Sequence, residues 1–255
     1  MRIDATIQAR MGSSRLPGKV LLPILGAPML ARQVERIRQS RLIDRIIVAT
    51  TTAPEDDAIE ALARREGCEV FRGSSEDVLG RVVGALRKFD VGLHVEFQGD
   101  DPMPDPLLVD AFIGYFLKHA DECDYLTNAL TTTYPPGAEI SVYRAETLID
   151  AERHATNEAL REHVGLHVHQ HPDRYRIRNL EAPPWLRRPS MHLEVDTQAD
   201  YELVCAVFEH FYPSNPGFSL SQVIEFLDAN PALVAGNRDV ERRWRKFRQD
   251  EHAES

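Results

Sequence analysis

The chain has 255 residues, 43% hydrophobic and 27% charged, a balance that fills the core of one large α/β domain or of a domain with a lobe. A formal net charge of −10 argues against nonspecific binding to nucleic acid or an anionic membrane, and no run of about 18 apolar residues is present to cross a bilayer. Cys68, Cys123 and Cys205 are widely spaced with no C-x-x-C pair, so they read as reduced, packed thiols; with a chain that enters a strand pattern at once and shows no signal peptide, the expectation is a cytoplasmic protein.

Arg2–Gln8 reads as the first strand. Met29–Gln39 is a helix by the spacing of Met29, Leu30, Val34 and Ile37. Arg45–Thr50, β-branched and apolar on both faces, is a central parallel strand. Pro54 opens a helix to Glu66, with acidic residues in its first turn and Gly67 ending it. A short strand in "CEVFRG" precedes a helix Glu76–Lys88 that Ser75 caps. "GLHVEFQGDDP" is a fourth strand running into an acidic turn, Pro106–Lys118 a helix, and "CDYLTN" a fifth strand. Five alternations of this kind predict a mainly parallel sheet with helices on both faces. From Tyr134 the rhythm breaks. A strand at Glu139–Tyr143 precedes a helix, Asn157–His169 is helical, and Tyr175–Leu180 and His192–Val195 are extended pieces that pair with each other or with a partner chain. Gln198–Phe211 and Ser219–Ala229 are helices, the second capped by Ser219. Residues 1–240 form a single domain, 134–190 within it a smaller lobe, and 241–255 a charged tail.

Ligands of parallel sheets lie outside the carboxyl ends of the strands, and three unusual stretches fall there: Arg10–Lys19, Ala49–Pro54 and Gln98–Pro106. The first, "RMGSSRLPGK", combines Gly12 and Gly18 with Arg10, Arg15 and Lys19. Backbone N–H groups with guanidinium and ammonium charge make a cradle for a polyphosphate; a solvated, scatter-charged loop is the plainer alternative. A Walker loop is excluded, because five residues separate the glycines and Val20 follows the lysine; the G-x-G-x-x-G dinucleotide fingerprint is absent too. Asp100, Asp101 and Asp105 in "QGDDPMPDP" offer hard oxygens suited to Mg²⁺, or simply a proline-flanked turn. Asp196 ends an extended piece ahead of a helix, as a metal carboxylate or a plain helix-start acid. "HVGLHVHQH" is no zinc site, since no Cys or acidic ligand stands at a suitable spacing. The tail "ERRWRKFR" is a solvated end or an amphipathic partner helix.

"QARMGSSRLPGKVL", "VATTTAPEDDAI", "FRGSSEDVLGRVVGAL", "QGDDPMPDP", "REHV" and "VDTQADYELV" come in an order that resembles the cytidylyltransferase family across nearly the whole chain, Arg2 to Asn237. The branch it looks like is the spore-coat polysaccharide biosynthesis type, related to the 3-deoxy-manno-octulosonate and acylneuraminate enzymes. The resemblance implies a nucleotide-diphospho-sugar transferase (GT-A-like) α/β fold with a smaller acceptor and dimerisation lobe, a homodimer, and transfer of CMP from CTP to a sugar acid or related acceptor. It implies a triphosphate loop of Arg10, Gly12, Ser13, Arg15, Gly18 and Lys19, and Mg²⁺ on Asp100 and Asp196. Lys19, Arg15 and Asp100 then carry the catalysis. Ala49, Thr50, Thr51, Arg72, Ser74 and Gln98 lie near the nucleoside, and Arg161, His163 and Glu139 face the acceptor. The chain departs from the branch at Asp101, often a Cys there, at "AEISV" for "LDVEV", and at "DTQAD" for "DTPED". Acceptor identity is open among nonulosonic acids, other 2-keto sugar acids, sugar phosphates and phosphonates. A glycosyltransferase with a nucleotide-sugar donor and a non-catalytic nucleotide-binding regulator are the alternative functions; the cation-rich first loop disfavours the former and the pair Asp100 and Asp196 the latter.

Overall fold

The alternating patterns resolve into one seven-stranded sheet in this computed structural model, which describes residues 2–238 and Val240. After β1 (Ile3–Gln8), the chain runs through a long loop, a short ladder of β2 (Pro23–Ile24) with β3 (Ala27–Pro28), and α1 (Met29–Ile37). Three β–α units follow: β4 (Arg45–Thr51) with α2 (Asp57–Arg65), β5 (Glu69–Gly73) with α3 (Val78–Lys88), and β6 (Leu93–Gln98) with α4 (Pro106–Lys118). Next come β7 (Tyr125–Thr127), β8 (Ser141–Arg144), α5 (Ala145–His154), α6 (Glu158–Glu162), α7 (Leu166–His169) and β9 (Ile177–Asn179). The chain closes with α8 (Gln198–Phe211), α9 (Leu220–Ala229) and α10 (Pro231–Ala235). The sheet order is β5-β4-β1-β6-β8-β7-β9; β1 pairs parallel with β4 and β6, β4 with β5 and β7 with β9, whereas β8 runs antiparallel to β6 and β7. The carboxyl ends of β1, β4, β5 and β6 therefore open on one edge.

Side-chain alternation assigns the two faces. Ile3, Ala5 and Ile7 of β1, Ile46 and Val48 of β4, and Leu93, Val95 and Phe97 of β6 join one core with Val34, Phe112, Phe208 and Ile224. Ile47 joins a second core with Val82, Leu86 and Leu148. On that second face, however, β1 and β6 present polar residues. Asp4, Thr6 and His94 are fully buried. Each has a partner: Arg45 grips Asp4 at 3.1 and 2.8 Å, Thr6 Oγ1 meets His94 Nε2 at 2.7 Å, and Gln8 Nε2 donates to Glu96 Oε1 at 2.6 Å. Burial depresses His94 to a pKa of about 3, so its ring stays neutral. The row Asp4–Thr6–Gln8 beside His94–Glu96–Gln98 leads from the sheet interior to its carboxyl edge.

Several expected boundaries move for identifiable reasons. Asp77 rather than Ser75 caps α3, accepting from Gly80 N at 2.7 Å, while Ser74 Oγ takes the N–H groups of Glu76 and Asp77. The helix expected over Asn157–His169 is two short ones, because His163 is extended (φ −116°, ψ 113°) and Gly165 packs where a Cβ would meet Tyr143 Oη at 2.7 Å. The extended stretch 192–195 pairs with loops instead of strands: Leu193 N donates to Pro136 O at 2.7 Å and Val195 N to Asp100 O at 2.8 Å. Tyr175–Leu180 does contribute a strand, β9. The tail "ERRWRKFR", Glu241–Arg248, lies outside the described residues.

Arg36 locks these layers together. Its guanidinium, on α1, donates to the carbonyls of Pro104, Pro216 and Phe218 at 3.1, 2.8 and 2.7 Å and stacks 3.8 Å above the Phe218 ring. Arg36→Ala strands three carbonyls and should cost about 3 kcal/mol in urea unfolding, because each buried acceptor left without a donor costs about 1–3 kcal/mol.

Candidate active site

The loop after β1 folds around one carbonyl. Ser13 N and Gly18 N both donate to Met11 O, at 2.8 and 3.0 Å, and Met11 N donates to Asp56 Oδ1 at 2.7 Å. Asp56 itself is buried and holds the Thr51 hydroxyl, which pins the loop to the end of β4. Gly18 sits at φ 70°, where a side chain is strained, and this turn delivers Lys19 to the start of a 3₁₀ turn, Lys19–Leu21. Gly12 faces open space. Arg10, Gly12, Ser13, Arg15 and Lys19 line a cavity of about 420 Å³ together with Gln8, Gln98, Asp100 and Asp196.

Three distant segments meet at Lys19. Its ammonium donates to Asp100 Oδ2 at 2.8 Å, Asp196 Oδ1 at 3.1 Å and Val195 O at 2.7 Å. Arg15 Nη2 pairs with the other Asp196 oxygen at 2.6 Å. Burial pulls the Lys19 pKa down, but the charges and hydrogen bonds of Asp100 and Asp196 outweigh it and the net shift is upward; the residue stays charged. One point is thus gripped by two carboxylates from the ends of β6 and of the segment before α8. The neighbouring Asp101 is buried, and burial, reinforced by Asp100, Glu139 and Glu194, raises its pKa well above the ordinary carboxyl range. Asp105 turns away from this point. It caps α4 through the N–H groups of Leu107 and Leu108, and its other oxygen accepts from Leu220 N at 2.7 Å.

A second cavity, of about 270 Å³, shares Gln8, Gln98, Asp100, Glu162, His163 and Asp196 with the first. Glu139 lies on its wall and accepts from Gly137 N at 2.6 Å. Gly137, at φ 94°, allows that wall: a Cβ there would strike Glu194 N at 2.3 Å. His163 faces both cavities, and burial lowers its pKa, which favours the neutral ring near pH 7.

Other expected residues stand elsewhere. Ala49, Thr50, Thr51, Arg72, Ser74 and Arg161 line neither cavity. Arg72 ties β5 to α2 through Thr51 O, Ala53 O, Asp57 and Glu60. Arg161 is held at 2.5 Å by Asp77 and at 3.2 Å by Glu152, so its guanidinium joins α6 to α3 and α5. Sequence reading passed over Arg81, which lines the first cavity from α3. It is 3% exposed, donates to Ser74 O at 2.6 Å, and burial next to Arg10 lowers its pKa to about 10. Gln8, Glu96, Tyr125, Tyr143, Glu194 and His169 were also missed; the polar alternation of β1 and β6 was the available signal for the first two.

The family model of the cytidylyltransferases matches residues 5–237. The chain belongs to the cytidylyltransferase family. The spore coat polysaccharide biosynthesis protein SpsF of Bacillus subtilis (strain 168) is 38% identical over 230 residues, covering 88% of this chain and 93% of that one. A cytidylyltransferase structure from Leptospira borgpetersenii superposes with a TM-score of 0.88 at 28% identity, over 95% of this chain and all of that one. The fold is shared more distantly with a CMP:2-keto-3-deoxy-manno-octonic acid synthetase complexed with CTP, at TM-score 0.60 and 23% identity over 82% of this chain and 99% of that one. This cytidylyltransferase is an α/β enzyme, a CTP-dependent nucleotidyltransferase, and no described helix is long and apolar enough to cross a membrane.

Two outcomes follow from these charges. Lys19→Met leaves Asp100 and Asp196 facing each other without their shared cation. It should lower Tm by about 5 °C in EDTA, as a loss of about 2 kcal/mol does in a chain of this size, and millimolar Mg²⁺ should restore more of the loss than it adds to wild type. Burial raises Glu96 to a pKa of about 7 from 4.5. The native state therefore holds a proton that the unfolded chain releases, so this contribution is full below pH 4.5 and is lost as pH rises through 7. Glu96→Gln should shrink the fall in Tm between pH 5 and pH 8 measured by calorimetry.

Proposed function

We propose that this cytidylyltransferase transfers CMP from CTP to a hydroxyl of a small sugar-like acceptor, the sugar acids and their relatives being the class the sequence resemblance implies, with release of pyrophosphate. The observation that carries this is the convergence of Asp100 and Asp196 on the Lys19 ammonium where the two cavities join. One cavity is cationic and loop-lined, suited to a triphosphate; the other is lined by the strand residues Glu96, Tyr125, Ser141 and Tyr143 together with neighbouring loops, suited to an acceptor.

The pair Asp100 and Asp196 suits a divalent cation. Their oxygens already hold one positive charge, and both are hard donors, as Mg²⁺ requires. Among the described residues no three His, Cys, Asp or Glu side chains gather as a metal site, so phosphate oxygens and water would complete the shell. When bound, Mg²⁺ neutralises triphosphate charge and polarises the phosphoryl group under attack. With Asp100 and Asp196 holding a cation, Lys19 would donate to phosphate oxygens from the same loop. Arg10, Arg15 and Arg81 add charge around the departing pyrophosphate, and the open face of Gly12 lets phosphate approach the backbone. The acceptor oxygen forms its bond to the α-phosphorus as the bond to pyrophosphate breaks. His163, neutral and common to both cavities, takes the hydroxyl proton.

The similarity to SpsF supports a role in surface polysaccharide biosynthesis. The resemblance also supports a cytoplasmic homodimer; Trp185, 65% exposed within the 134–190 lobe, suits such a contact.

Pyrophosphate release from CTP with Mg²⁺ and a panel of sugar acceptors tests the assignment. Asp196→Asn should retain the wild-type circular dichroism spectrum yet lower the rate about 10²–10³-fold, the usual cost of losing one electrostatic contact to the transition state. A near-wild-type rate, or free nucleotide in place of pyrophosphate, would rule it out.

A further inference from the structure

The Asp196 carboxylate is held by Lys19 at 3.1 Å and by Arg15 at 2.6 Å, two cations that line the triphosphate cavity. Both would be drawn to phosphate when a nucleotide enters, so the aim of Asp196 has to come from its backbone. Asp200 holds that backbone. Its Oδ2 accepts from Thr197 N at 2.8 Å, from Thr197 Oγ1 at 2.8 Å and from Asp196 N at 3.1 Å. The bond from Thr197 N is the one a capping box makes at the start of α8; the bond from Asp196 N reaches one residue further back. The other oxygen is taken from far along the chain. Asn237 Nδ2, 37 residues on, donates to Asp200 Oδ1 at 3.0 Å and also to His192 O at 3.0 Å. An amide nitrogen carries two hydrogens, so one fully buried side chain brackets the segment 192–200, fixing it ahead of Asp196 and behind it. Val195 N, on Asp100 O at 2.8 Å, ties the middle of the bracket to the other carboxylate. A helix start alone needs none of this: α9 begins with the same box, Ser219 with Gln222, and there the third residue is a neutral, exposed glutamine. Burying a carboxylate is costly unless donors saturate it, and a cap does not require it. Nor is Asp200 a further cation ligand, since donors occupy both oxygens and it lines neither cavity.

Resting on the reading of Asp196 as a Mg²⁺ carboxylate, we infer that Asp200 and Asn237 are positioning residues for the transfer reaction: they fix the backbone of Asp196 so that its carboxylate stays beside Asp100 when Lys19 and Arg15 turn to phosphate. A residue just past α10 thus acts on the site through two hydrogen bonds, without touching a ligand itself.

The test reads metal affinity apart from turnover. Mg²⁺ titrated calorimetrically into the protein with CTP and no acceptor should bind about 10-fold or more weakly in Asn237→Ala and in Asp200→Asn, the usual cost of losing an outer partner of a metal carboxylate. CTP binding in EDTA should be unchanged. In pyrophosphate release, kcat should fall with KM for the acceptor unaltered, and excess Mg²⁺ should restore most of the rate. Thr197→Val, which removes the Oγ1 donor to Asp200 and leaves the backbone one, should show a smaller weakening and Thr197→Ser none; this half-buried position keeps the test intact if the buried ones fail to fold. Variants that lose Tm while Mg²⁺ affinity and kcat stay at wild type would make the bracket purely structural and overturn the inference, leaving CMP transfer standing. CTP binding in EDTA weakened as much as Mg²⁺ binding would overturn it too, because the whole pocket would then have shifted. Unchanged Mg²⁺ affinity and pyrophosphate release in Asp196→Asn would overturn both the inference and the reading beneath it.

Discussion

A buried ammonium must find its countercharge inside the protein, and Lys19 finds it on Asp100, 81 residues away, and on Asp196, 177 residues away. This contact joins the loop after β1, the turn after β6 and the segment entering α8. Each partner is placed by something simple. The positive φ of Gly18 aims the lysine. The parallel pairing of β1 with β6 puts Asp100 beside it, and the bond from Val195 N to Asp100 O brings Asp196 to the same point. The arrangement serves in the absence of ligand as well. Two carboxylates converging on one point would otherwise repel each other, and the Lys19 ammonium between them neutralises that charge.

The sheet supplies the second constraint. A central strand of a parallel sheet is ordinarily apolar on both faces, and β1 and β6 depart from this on one face only. Asp4 is held in the interior by Arg45, Thr6 and His94 bond each other, and the row ends in Gln8 and Gln98, which line both cavities, and in Glu96, which lines the second. The polar face is therefore the inner extension of the site. Its cost is met by hydrogen bonds inside the layer, and the opposite face keeps a continuous apolar core beneath α1, α4, α8 and α9.

Much of this was legible in the sequence, and unevenly so. The βα rhythm and the helices Pro106–Lys118 and Gln198–Phe211 are local signals, and each stands as read. The convergence of Asp100 and Asp196 is nonlocal, and only the order of motifs pointed to it. Arg72, Ser74 and Arg161 were expected at the ligands, yet they close ion pairs and turns that no spacing rule reveals. Asp105 in the same acidic turn is a helix cap, since a carboxylate ahead of Pro106 meets free N–H groups one residue on. Arg81 was hidden because an arginine on an amphipathic helix reads as solvated, whereas the inward turn of α3 buries it. The break at His163 depends on tertiary packing of Gly165 against Tyr143, which helical periodicity does not register.

A crystal structure of the protein with CTP and Mn²⁺, the ion located by its anomalous signal, measures the exchange at Lys19 most directly. The expected result is one anomalous peak bridging Asp100 and Asp196 to the triphosphate, with the Lys19 ammonium moved onto phosphate oxygen. A triphosphate bound with Lys19 still on both carboxylates and no metal between them would contradict it.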